Sequence, residues 1–89
     1  MDNKIILESL ASDLKRVSLG LQRGSISMAN RFGQEALRRR NELNTSLLDK
    51  YITQLLVKLE KAVTDAEDAL MFSTLIQNYA LRRYQNASS

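Results

Sequence analysis

From Ser46 to Tyr84 the chain runs 39 residues without a glycine or a proline. Those two residues are the strongest local breakers of regular structure, so the stretch is committed to helix. Its first half places Leu48, Ile52, Leu55, Leu59, Val63, Ala66 and Leu70 at steps of three and four, the spacing of one helical face. Ser46 stands three residues ahead of Asp49 and reads as an N-cap with an acid in the first turn. After Leu70 the apolar positions continue as Phe72, Leu75, Ile76, Tyr79 and Ala80. That second stripe is rotated from the first by roughly a third of a turn.

Two arrangements answer such a rotation. A break at Thr64, which has capping-box spacing to Glu67, would give four helices of similar length and a monomeric bundle. Alternatively one long, bent helix spans 46–84 and shows its two halves to different partners. Val63-Thr64-Asp65 carries no glycine to end a helix, while Ala62, Ala66 and Ala69 favour one, and continuity is the reading adopted. A continuous helix of this length would be about 58 Å long. The rest of an 89-residue chain cannot cover it. Phe72, Leu75, Ile76 and Tyr79 are therefore expected to form a homodimer interface.

The preceding segments complete an all-α domain over 1–89. Leu7, Leu10, Leu14, Val17 and Leu21 form a heptad-like seam on a first helix from about 3 to 22, capped by Asp2 or Asn3 and stopped at Gly24. A second helix is expected over 28–43, capped by Ser27, with Met28, Phe32, Ala36 and Leu43 as its buried stripe. Arg39 occupies an apolar position of that stripe, and is expected to snorkel its guanidinium outward. The expected architecture is a small bundle with the N-terminal helix pair packed on the long C-terminal helix, completed by dimerisation, and with 85–89 a frayed tail. Only five residues are aromatic and none is tryptophan, which suits leucine-rich packing of helix on helix.

Composition narrows the chemistry. Without cysteine there is no disulfide or thiolate, and without histidine the usual general base and the commonest transition-metal ligand are missing. The opening residues carry just Ile5 to Leu7 as an apolar run, which does not read as a signal peptide, and no run approaches a membrane span. The expectation is a cytoplasmic protein. Asn44-Thr45-Ser46 and Asn86-Ala87-Ser88 match the glycosylation pattern, yet read as a helix cap and a frayed tail.

Charge is the remaining signal. Between Lys15 and Arg40 there are seven Lys and Arg against one acid, Glu35, whereas from Thr45 onward five charges of each sign cancel. The net charge of +3 is thus concentrated on the end of the first helix and on the second. Arg31, Gln34, Arg38 and Asn41 share one face, thickened by Arg39 and Arg40. Arg, Gln and Asn are side chains that hold phosphates and read base edges, but no aromatic interleaves them for stacking. A solvated face or docking on an acidic protein is the first reading and nucleic-acid binding the alternative. Membrane-surface binding lacks the apolar area. Glu60, Glu67 and Asp68, with Thr64 between, offer a remote reading as a Mg²⁺-dependent phosphate enzyme. A solvated helix face explains the same acids, so no cofactor, metal or small-molecule substrate is expected. The reading adopted is a non-enzymatic helical regulator or adapter.

Overall fold

The computed structural model describes residues 2–85. They form helices α1 (Asn3–Gln22), α2 (Ile26–Arg40), α3 (Lys50–Val57), α4 (Leu59–Ala62) and α5 (Ala66–Tyr84), with a 3₁₀ turn at Thr45–Leu47. No strand occurs among the described residues. α1 begins where read: the Asp2 carboxylate accepts from the Ile5 amide at 3.0 Å. It ends in a Schellman turn, in which the Ser25 amide donates to the Gly20 carbonyl at 2.8 Å and the Gly24 amide to Leu21 at 3.3 Å. Gly24 has φ 73°, the left-handed conformation that this turn requires.

The turn is so short that α2 starts at Ile26, two residues before the expected start, with Ser25 rather than Ser27 at its head. The buried stripe of α2 shifts accordingly, from Met28 and Phe32 to Ala29, Gly33 and Ala36. Small residues win because the helices nearly touch. A Cβ built on Gly20 would lie 2.9 Å from the Ala29 backbone nitrogen. Met28 and Phe32 stand at the edge of the contact, half-buried.

The continuous rod over 46–84 is not formed. Ser46 lies in the 3₁₀ turn, its hydroxyl donating to the Asn44 side chain, and Asp49 heads α3. At Lys58 the amide bonds back to Leu55 at 3.1 Å, a tighter 3₁₀ closure that separates α3 from α4. The decisive break is at Val63–Asp65. Thr64 donates its hydroxyl to the Lys61 carbonyl at 2.7 Å, closing α4. Asp65 turns extended (φ −134°, ψ 124°), and its carboxylate accepts from the amides of Glu67 and Asp68 at 2.9 and 3.4 Å. The cap is therefore Asp65, not Thr64.

Broken there, the chain runs up and down four times. Close pairs set the directions: Gly20 meets Ala29 and Asp13 meets Arg39 across α1 and α2. Gly33 meets Val63, and Arg40 meets Leu56, across α2 and the α3–α4 arm. Ser18 donates to the Ala66 carbonyl at 2.8 Å and Ser73 to the Ala11 carbonyl at 2.6 Å, holding α5 antiparallel to α1. This is the four-armed alternative, with its break next to Thr64. The molecule measures 41 × 23 × 21 Å, too short for the continuous rod.

α1 is covered from two sides, burying Ile6, Leu7, Leu10, Ala11, Leu14 and Val17. Ile52, Leu56, Leu59 and Ala62 come from the third arm, and Phe72, Ile76, Tyr79 and Ala80 from α5. Three of the four expected dimer residues are thus inside one chain: Phe72, Ile76 and Tyr79. Leu75 alone is left half-exposed. The rotated stripe needs no second molecule, because the break lets α5 turn it onto α1. The Tyr79 hydroxyl even accepts from the Asp49 amide at 3.1 Å, tying α5 to the start of α3. Of the expected tail, 86–89 lie outside the described residues.

Ile76→Asp would therefore unfold the protein rather than split a dimer, and Ile76→Ala should cost about 2–5 kcal/mol. Leu75→Ala, at the half-exposed neighbour, should cost far less. Urea unfolding followed by circular dichroism compares the three. A folded, fully helical Ile76→Asp protein would contradict this placement.

Candidate functional site

The three consecutive arginines at the end of α2 have three different occupations. Arg38 points outward and is gripped by its own helix: it donates to Glu35, one turn before, and to Glu42, one turn after, at 3.1 Å. Arg39 does not snorkel out. Its Nε donates to the Asp13 carboxylate of α1 at 2.7 Å, and that carboxylate is only 7% exposed. Arg40 reaches the third arm, donating to both oxygens of Glu60 and to the Leu56 carbonyl at 3.1 Å. A planar guanidinium with several donors suits this bidentate latch better than an ammonium would.

These partners shift the acids in opposite directions. Arg40's hydrogen bonds hold Glu60 down to about 2. Arg38 likewise lowers Glu35, chiefly through its hydrogen bond. Asp13 goes up, because burial penalises its charge more than Arg39's hydrogen bond and charge favour it.

Two of the triplet, Arg39 and Arg40, thus tie α2 to its neighbours, while Arg38 is paired along its own segment. Arg31, Gln34 and Asn41 of the same expected face remain exposed. Arg31 sits with its guanidinium carbon 5.4 Å from the centroid of the Phe32 ring, and Arg16 of α1 approaches the same ring at 5.3 Å. Arg16 also donates to Ser12 one turn before it. Neither Arg16 nor Arg31 forms an ion pair with a described residue. Of the seven cations from Lys15 to Arg40, Lys15, Arg16, Arg23 and Arg31 are in no ion pair with a described residue, and Arg16 and Arg31 are the two that flank Phe32.

Arg16 was absent from the expected face, because it stands on the other helix. Its signal was available: a lone aromatic, Phe32, beside an arginine on one helix and facing another basic helix end. The acids of the metal reading are not brought together. Glu60 is latched by Arg40, Glu67 and Asp68 head α5, and no group of three or more Asp or Glu side chains that could hold a metal ion is found among the described residues. No helix among those residues is long and apolar enough to cross a membrane. No family model, curated protein or solved structure matches this chain, so its surface chemistry carries the functional reading.

Two predictions follow from the arginines. Arg39→Ala leaves the Asp13 carboxylate buried without its partner and should cost about 3 kcal/mol. Arg38→Ala should leave the melting temperature nearly unchanged, since that pair is exposed. The second concerns pH. Glu60 binds its proton less readily folded than unfolded, so its stabilisation is complete above the ordinary 4.5 and is lost as pH falls toward about 2. Asp13 has the opposite sign, contributing more at low pH and less as pH rises above 3.8. Glu60→Gln should melt below the wild type at about pH 7 and converge on it at about pH 2. A constant difference between the two melting curves across that range would refute the latch.

Proposed function

We propose that this protein is a small non-enzymatic adapter that docks on an acidic patch of another protein through Arg16 and Arg31. One observation carries the proposal: two guanidiniums from different helices are steadied on one ring, and neither is in an ion pair with a described residue. Resting a long side chain on an aromatic face removes part of the ordering cost that binding would otherwise impose, about 0.5–1.5 kcal/mol per side chain. An incoming carboxylate then meets donors already placed. The absence of histidine and cysteine from the sequence supports a binding role over a catalytic one.

A phosphate backbone is served less well. It asks for a continuous row of free cations, typically about 6–10 contacts on a duplex. Here Arg38 and Arg40 are matched to acids, and Glu35 and Glu42 stand beside Arg38 at the exposed end of α2. A discrete acidic patch fits two free arginines better than an extended polyanion does.

Fluorescence anisotropy tests this with two probes at physiological salt, a labelled glutamate-rich peptide and a labelled DNA duplex. The peptide should bind the tighter of the two. Arg16→Ala and Arg31→Ala should each weaken it about five- to tenfold, and Arg38→Ala less than about twofold. Tighter binding of the duplex, or an equal loss with Arg38→Ala, would overturn the proposal.

A further inference from the structure

The α3–α4 arm and the first turns of α5 border an open hollow of about 530 Å³, which adjoins a shallower one of about 390 Å³ on α5 alone, the two sharing Met71. Leu55, Val57 and Phe72 line the first, and Leu70 and Leu75 the second. Val57 is 72% exposed, Met71 49% and Leu70 43%, three apolar side chains standing together at these hollows. The charges around it are sorted. Lys58 and Lys61 stand on the side of the α3–α4 arm, where the one acid, Glu60, is already paired with Arg40, and Glu67 and Asp68 stand on the side of α5. None of Lys58, Lys61, Glu67 and Asp68 is in an ion pair with a described residue.

We infer that this groove is occupied by a second copy of the chain, related by a two-fold axis passing near Met71. In a two-fold contact a patch meets itself, so a patch of one sign repels and only a patch carrying both signs on opposite sides attracts. Here the basic edge of each copy falls opposite the acidic edge of the other. Val57, standing proud of the rim, enters the hollow beside Met71 of the facing molecule. The surface overlaps the expected one only at its edge: Ile76 and Tyr79 stay in the core, Phe72 and Leu75 border the hollows, and Leu70, Met71 and Val57 make the contact. It is also independent of the docking at Arg16 and Arg31.

Sedimentation velocity of the full chain between about 1 μM and 1 mM tests the inference, a range that covers weak to moderate association. The 10.1 kDa species should give way to one of twice that mass as concentration rises. Val57→Glu, at a position too exposed to disturb folding, should weaken association at least tenfold. The variant carrying K58E and K61E and the variant carrying E67K and D68K should each fail to self-associate, because each has a patch of one sign. Mixed in equal amounts, they should form a heterodimer. A monomer throughout the range, or a dimer unchanged by Val57→Glu, would overturn the inference. Should circular dichroism show that a charge-reversal variant has lost its helices, the Val57→Glu result decides alone.

Discussion

Everything in this bundle follows from the width of the apolar face on α1. Ile6, Leu7, Leu10, Ala11, Leu14 and Val17 are all at most 3% exposed, and they span more of the helix than one neighbour can cover. α2 must lie close on one side, and the small residues Gly20, Ala29 and Gly33 permit it. α5 must close the other side, where the hydroxyls of Ser18 and Ser73 reach backbone carbonyls across the gap. Each of those bonds gives a buried donor its partner and fixes the register of α5 on α1. With both positions taken, the residues between α2 and α5 have to return along the molecule, which a straight helix over 46–84 could not do.

The charged residues inside the bundle serve the same packing. Asp13 lies on the buried face of α1, three residues after Leu10, and Arg39 lies on the inward side of α2. Either alone would be a costly buried charge; together they neutralise each other and constrain how α2 slides along α1. Asn3 acts similarly at the opposite end. Its side-chain amide donates to the Asn44 carbonyl at 3.0 Å and accepts from the Asn44 amide at 2.9 Å, imitating a backbone pair. It thus fastens the connector after α2 to the first turn of α1, setting the point from which the third arm departs.

Much of this was written legibly in the sequence, and the rest failed for identifiable reasons. The all-α class, the bounds of α1 and its stop at Gly24 are strong signals because periodicity and turn chemistry agree there. The rotation of the apolar stripe after Leu70 was also a true signal of a change of course. What misled was its cause. Helix-favouring alanines flank Asp65 on both sides, and one carboxylate capping two amides outweighs them, a local competition that propensity alone does not settle. The break is also what takes Phe72, Ile76 and Tyr79 of the expected dimer surface into the core and leaves Leu75 outside. The arginines were misread differently: Asp13 on an apolar face and Arg39 on another were matching irregularities, each visible, but their pairing depends on the antiparallel register of α1 and α2. The Arg16–Phe32–Arg31 cluster likewise needs two helices to exist.

The third arm is where stability and recognition meet. α3 has eight residues and α4 only four, lengths at which a helix in water does not persist unaided. Their order comes from Ile52, Leu56, Leu59 and Ala62 inserting into the core, and from Arg40 gripping Glu60 and the Leu56 carbonyl. Val57 and Lys58 stand at the joint between these two short helices, on the face turned away from the core. Whatever covers that face restrains a segment that the rest of the chain holds only from behind. The Arg40 latch and the outer groove therefore act on the same few residues from opposite sides, and loosening the latch by protonating Glu60 would also loosen the groove. The positive cluster at Phe32 is built instead on α1 and α2, whose packing does not involve this joint. The arginines at Phe32 and the apolar groove thus stand on different helices around one core.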